Sequence, residues 1–390
     1  MSKPNIRSLG EPYNYLKDPD LRAKETGDAQ LVVKDALFSG ATFQYVTWKN
    51  IRFLNCDFAG AYEIKLTAME NCSFENCKIV GIHDFGSMNK VRFYKCLSGG
   101  SSNWGGQDAK NVVFEECQFL GDTADRNHQG AIGTYGDATF INCKAKWFGI
   151  SAHTAAVFRD CEFESVAYHP SSQIASGAHV VIEGCKLRGT FDMAPSALQS
   201  LIIRDTQIDV LDLTGASVKG DVVMEKIKAS SLKMGIQEGA QSLRLKDSWI
   251  TGDGERVCAI YAGAFKHVLV EDVRFGGSVN EVAGIGGGYR PDDASPQPVL
   301  TQSITFRRVK APMLRSARLN AAAFTVEDCE IERANFGQGR IDTLTFTRNT
   351  FSFTLDLSQT RVKEFKQSGG TDLRKLDGFK AEGSNIKLPH

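Results

Sequence analysis

The chain has 390 residues, 46 basic and 46 acidic side chains, and 42% hydrophobic residues. Zero formal charge argues against nucleic acid or a membrane surface as the principal partner, and against an acidic mimic of DNA. No apolar run is long enough to span a bilayer, and MSKPNIRSLGEPYNY lacks the apolar core of a signal peptide. The expected compartment is therefore the cytoplasm, or the exterior by a route without a cleaved signal.

Residues 1–30 are polar and irregular, and are expected to cap a repeat that begins behind them, with Tyr13, Tyr15 and Leu16 as the plug. From Leu31 an eight-residue phrase recurs: hydrophobic, any, hydrophobic, any, polar or Gly, small, any, hydrophobic. It reads LVVKDALF from Leu31, IRFLNCDF from Ile51 and VVFEECQF from Val112. It occurs fifteen times, the last being LTFTRNTF from Leu344. A period averaging about 22 residues marks a repeat architecture. The polar residue just before each small position predicts a sharp corner. Eight cysteines fill that small position: Cys56, Cys77, Cys96, Cys117, Cys143, Cys161, Cys185 and Cys329. Stacked in register they predict a ladder of free thiols whose side chains point the same way. No Cys-x-x-Cys or Cys/His cluster suggests a metal, and neither metal nor cofactor is expected.

Residues 201–234 define the geometry. Read in fives, with one extra residue at Asp221, the first and third positions are Leu201/Ile203, Thr206/Ile208, Leu211/Leu213, Ala216/Val218, Val222/Met224, Ile227/Ala229 and Leu232/Met234. A helix requires spacings of three and four, and a hairpin strand alternates and reverses. A chain that bends after every five residues, two side chains inward, predicts a parallel solenoid. Residues 36–60 repeat the rhythm as ALFSG ATFQY VTWKN IRFLN CDFAG.

These two stretches resemble the pentapeptide-repeat family, in which a small residue precedes a central Leu or Phe by two places and many repeats end in Gly. Leu211-Asp212-Leu213-Thr214-Gly215 and Ala216-Ser217-Val218-Lys219-Gly220 carry the likeness. It implies a bacterial protein that presents a long rigid surface to another protein, as an inhibitor, immunity factor or effector. The family's gyrase-protecting members mimic DNA with an acidic rod, which a neutral chain does not match.

The expected fold is all-β: one right-handed parallel β-helix of about fifteen coils over residues 31–365, with 366–390 as a C-terminal cap and tail. The hand follows from the crossover rule. Two insertions break the period, around residues 122–137 and 276–298, and loops of this kind carry recognition more often than scaffold strands do. Beside the second lies a segment from Thr301 to Thr325 with five cations and no acid: Arg307, Arg308, Lys310, Arg315 and Arg318. With Tyr289 and Arg290 these are the candidate binding residues for an acidic partner. The competing account is salt bridging to Glu327, Asp328, Glu330 and Glu332 on the next coil.

The rival function is a carbohydrate-active enzyme, a polysaccharide lyase or glycoside hydrolase of the pectate-lyase-like β-helix type. His83, His128, His153 and His169, with Asp84, Asn103, Trp104, Asp122 and Asp125, would wall its groove. An acidic line of Glu63, Asp84, Asp192, Asp212 and Asp356 follows the cysteine phrase, and Asp192 and Asp212 would neighbour each other on successive coils. Asp84, His128, Asp192 and Asp212 are the candidate catalytic groups; Lys233, one coil on, offers Asp212 a simpler salt-bridge partner.

Overall fold

The computed structural model describes residues 2–61, 63–80, 83–99, 102–103, 109–120, 131–133, 137–151, 154–168, 178–193, 197–236, 239–252, 256–284 and 300–388. Strand accounts for 63% of the chain and helix for 8%, so the fold is all-β. Residues 1–188 and 189–390 form two compact units. Each winds as a parallel β-solenoid, with about 13 turns in all. That is slightly fewer than the fifteen expected, since fifteen phrases bracket only fourteen complete intervals.

The corner is the element that makes a turn. The fifth residue of the phrase has positive φ in all fifteen copies, between 47° and 55° in the fourteen that are not glycine and 66° at Gly184. Asn and Asp reach this left-handed region readily, whereas Lys95, Glu116, Lys226, Arg308 and Arg348 occupy it at a cost of about 1 kcal/mol each. A backbone hydrogen bond to the next coil offsets the strain: Asp35 N–H donates to Leu54 O (2.9 Å), Asn76 to Tyr94 O (3.0 Å) and Arg308 to Glu327 O (2.9 Å). Gly184 has a steric reason as well, since a Cβ there would lie 2.3 Å from Asp160 Oδ1.

In the first unit the inward positions stack like on like. Phe53, Phe74, Phe93, Phe114, Phe140 and Phe158 form one column with centroid separations of 4.7, 4.8, 4.7, 5.1 and 5.1 Å and nearly parallel rings. Beside it runs the cysteine column, and all ten cysteines of the chain are buried and free. Each thiol but that of Cys258 donates to the carbonyl two residues back, for example Cys117 to Glu115 O (3.4 Å) and Cys143 to Ile141 O (3.4 Å).

Burial pushes the Cys72 and Cys329 thiols up to about 11. Contact with a neighbouring thiol, then burial, raises Cys56, Cys96, Cys143 and Cys185. Cys77, Cys117 and Cys161 lie between these thiols in the column. Each of these three also sits against two backbone carbonyl oxygens that hold its own S–H. Ellman titration of the native protein is therefore expected to find few reacting thiols, and denaturant without reductant to release nearly all ten. Recovery of only two would mean the column is oxidised.

Residues 2–30 are more ordered than their composition suggests. A 3-10 turn, Ile6–Leu9, is followed by α1, Glu11–Lys17, and α2, Pro19–Thr26. Ile6 and Leu16 are fully buried, and Leu16 O accepts from Trp48 Nε1 (3.1 Å). Tyr13 meets Phe43 edge-on at 6.0 Å, but Tyr15 turns away to donate to Glu25 Oε2 (2.8 Å). Arg22, 6% exposed, donates to the carbonyls of Ala29, Lys49 and Asn50, the last of which also accepts from Leu31 N–H (3.0 Å).

In the second unit all fourteen positions read as inward over residues 201–234 are buried. The small position is more polar here. Thr206 and Ser248 donate to Arg204 O and Lys246 O, each at 2.6 Å. Asn349, 3% exposed, accepts from Cys329 N–H (3.0 Å) and donates to Val326 O (2.7 Å). At the far end the Asn385 amide accepts from Val362 N–H (2.8 Å) and donates to Val362 O (2.7 Å), standing in for a missing strand.

Candidate functional site

In a parallel solenoid, residues at the same phrase position on successive coils stand about 4.8 Å apart, so outward side chains form rows. The seventh position of the phrase follows the corner and points outward. In the second unit it gives a row in strict register: Lys228, Trp249, Arg274, Lys310, Glu330 and Thr350. Trp249 is 45% exposed on this row. Lys228 Nζ lies 5.3 Å from the indole centroid and Arg274 Cζ 5.5 Å from it. The ring is thus held between two cations, an attraction worth about 0.5–1 kcal/mol at each exposed contact. It borders an open groove of about 720 Å³ whose lining also includes Thr251, Pro312, Glu332 and Ser352.

The cationic segment read from the sequence is mostly neutralised. Arg307 pairs with Glu327 (2.9 Å) and Glu271 (3.1 Å), Arg308 with Asp272 (2.6 Å) and Glu271 (2.9 Å), and Lys310 with Glu330 (2.8 Å). Arg315 Nε lies 3.8 Å from Glu281 Oε1, and Arg318 Nε donates to Gln338 Oε1 (3.0 Å). Arg307 and Arg308 turn to Glu271 and Asp272 on the preceding coil as well as to the acids that follow. Tyr289 and Arg290 lie outside the described residues.

Burial alone would raise the Glu271 carboxyl, but hydrogen bonds from Arg307, Lys246 and Arg308 outweigh it and hold the group below its ordinary range. Arg308 does the same to Asp272, and Arg348 to Asp328. A carboxyl depressed by folding adds stability that is present above its unfolded pKa of about 4 and is lost as pH falls below it. Arg308→Gln frees Asp272, so the difference in urea midpoint between pH 7 and pH 3 is expected to shrink in this variant. An unchanged difference would show that these pairs add nothing.

Of the candidate catalytic groups, Asp192 and Asp212 stand on neighbouring coils as expected: their strands, Lys186–Asp192 and Gln207–Asp212, pair, and Met193 N–H donates to Asp212 O (3.0 Å). Asp84 lies in the first unit on the strand His83–Tyr94, in register with Lys65 and Asn103. Asp192 and Asp212 belong to the second unit. Asp212 Oδ1 accepts from Thr214 N–H (2.9 Å) and its Oδ2 lies 3.5 Å from Lys233 Nζ. Asp356 accepts from Ser358 N–H (2.9 Å) and Asp57 from Ala59 N–H (2.9 Å). Two of the five acids of the line, Asp212 and Asp356, thus close turns on their own backbone, as Asp57 does outside it, while Glu63 accepts from Gln44 Nε2. His128, His153, His169, Trp104, Asp122 and Asp125 lie outside the described residues. No group of three potential metal ligands exists among the described residues, and no helix there is long and apolar enough to cross a membrane.

Sequence reading missed the row through Trp249. The signal was present: Trp249 occupies the seventh phrase position, where other coils carry Lys228, Lys144 or Glu162. No family profile, curated protein or solved structure matches the chain.

Proposed function

We propose that this chain is a non-catalytic bacterial interaction protein of pentapeptide-repeat type, whose solenoid presents a rigid outward surface to a protein partner as an inhibitor, immunity factor or effector in the cytoplasm. The observation that carries this reading is the Trp249 row: an exposed aromatic fixed between Lys228 and Arg274 beside an open groove. A side chain already held in place loses little conformational freedom when a partner covers it, and aromatic and arginine anchors dominate protein interfaces. The five-residue burial rhythm over residues 201–234 supports the repeat type. Asp212, which the enzymatic alternative needs, is engaged by Thr214 and Lys233.

The test is capture of a partner on the immobilised full-length protein, identification of the captured protein, and rebinding with both components purified. A saturable one-to-one complex is the expected result. Cleavage of a polysaccharide from a soluble panel, seen as new reducing ends or absorbance of unsaturated products, without such a complex would overturn the reading in favour of the carbohydrate-active alternative.

A further inference from the structure

Lys228 and Arg274 differ from most cations that surround them. In the second unit Arg204, Lys226, Lys233, Arg244, Lys246, Arg307, Arg308, Lys310 and Arg348 each pair with a carboxylate. Among the described residues, Lys228 and Arg274 have no carboxylate within 4 Å; both rest on the Trp249 ring. On the side away from the corner the outward residues flanking them, Ser230, Thr251, Gly276 and Pro312, are uncharged, while the corner side carries Lys226, Asp247 and Asp272. Acids bound this island on both sides. Asp209 lies on the coil carrying Gln207, which is in register with Lys228, while Glu330 and Glu332 stand beyond Lys310 at the other end of the groove.

We propose that the Trp249 groove receives a short acidic peptide segment of the protein partner, with two carboxylates bound by Lys228 and Arg274 and an apolar side chain against the indole between them. This rests on the protein-binding reading above. Lys228 and Arg274 are two coils apart, about 10 Å. In an extended polyproline-II segment, rising about 3.1 Å per residue, acids three residues apart match that span and share a face. The bounding acids decide between occupants. A uniform polyanion such as nucleic acid or a sulfated glycan would run its charge into Asp209, Glu330 and Glu332. A segment with only two acids would not, and those flanking carboxylates fix its register.

The probe is a fluorescein-labelled peptide containing Glu-Pro-Leu-Glu between glycines, with the Gln-Pro-Leu-Gln peptide as control, titrated against the full 390-residue chain. The expected result is saturable binding of the glutamate peptide alone. Lys228→Glu and Arg274→Glu should each weaken it by about tenfold, and the effect should diminish with added salt. A change in tryptophan emission on binding the unlabelled peptide should be lost in Trp249→Phe, a variant that keeps an aromatic platform, with circular dichroism unchanged. Equal binding of both peptides, or undiminished binding to a folded Lys228→Glu/Arg274→Glu double variant, would overturn the proposal. So would groove binding by a heparin hexasaccharide or an oligothymidylate in place of the peptide. An identified partner that binds the double variant as tightly as the parent would sink the groove but leave the protein-binding reading intact. Failure to obtain any one-to-one protein complex would remove that reading itself.

Discussion

Phe114→Ala is expected to destabilise the first unit by about 3–5 kcal/mol, the upper range for deleting a large buried side chain. Phe114 is 1% exposed and stacks on Phe93 at 4.7 Å and Phe140 at 5.1 Å, with Phe119 edge-on at 5.7 Å. Removing it takes away the contacts with Phe93, Phe140 and Phe119 as well as buried area, and neighbours fixed in register along the column cannot close the gap. Phe158→Ala, which removes contacts with Phe140 and Phe163 beneath Ile182 on the next coil, is expected to cost a similar amount. Because each coil touches mainly the ones above and below it, the loss should be local. Hydrogen exchange should accelerate first in strands Val91 and Ala138 belong to, His83–Tyr94 and Asp137–Ile141. Uniform acceleration along the chain would contradict nearest-neighbour stacking.

Asn349→Ala is expected to cost about 2–4 kcal/mol by a different mechanism. It strands the buried Cys329 N–H, at about 1–3 kcal/mol, and removes a donor from Val326 C=O, whose strand stays in register with Phe346. Asn349→Cys should recover part of this. In the cysteine column a sulfur already accepts from the backbone amide of the coil before: Cys185 Sγ from Cys161 N–H and Cys329 Sγ from Val309 N–H, both at 3.4 Å. Urea denaturation of the two variants decides the matter. If Asn349→Cys is no more stable than Asn349→Ala, the small position is governed by volume and not by hydrogen bonding.

The coil itself was legible because its rule is local. Two inward residues in every five and a polar corner before the small position can be counted in any stretch of the sequence, and both hold at residues 201–234 and at all fifteen corners. What lay on the outer surface was harder to read, because neighbours there are set by coil length. Trp249 meets Lys228 and Arg274 across steps of 21 and 25 residues, and Arg307 meets Glu271 across 36. The acids that follow the cationic segment were visible at the ordinary period, but those that precede it were displaced by the insertion after residue 276. The two N-terminal helices were obscured by their prolines. Pro12 and Pro19 occupy the first helical turns, where a missing N–H costs nothing, and Asp18 caps α2 by accepting from Leu21 N–H (2.9 Å).

The recurrence of one corner conformation has an evolutionary consequence. A segment running from one corner to the next is a self-contained unit of inheritance: its ends have the same backbone geometry, and it requires of its neighbours only what any other such segment supplies. Residues 304–323, bracketed by the phrases at Ile304 and Phe324, could be copied in tandem without altering the conformation of any residue outside the copy. In most folds a twenty-residue duplication must be absorbed by a loop or it destroys the core. Here it adds a storey, so chain length can drift between generations while the architecture stays fixed, and the outer face of a spare copy is free to change until it meets something to hold.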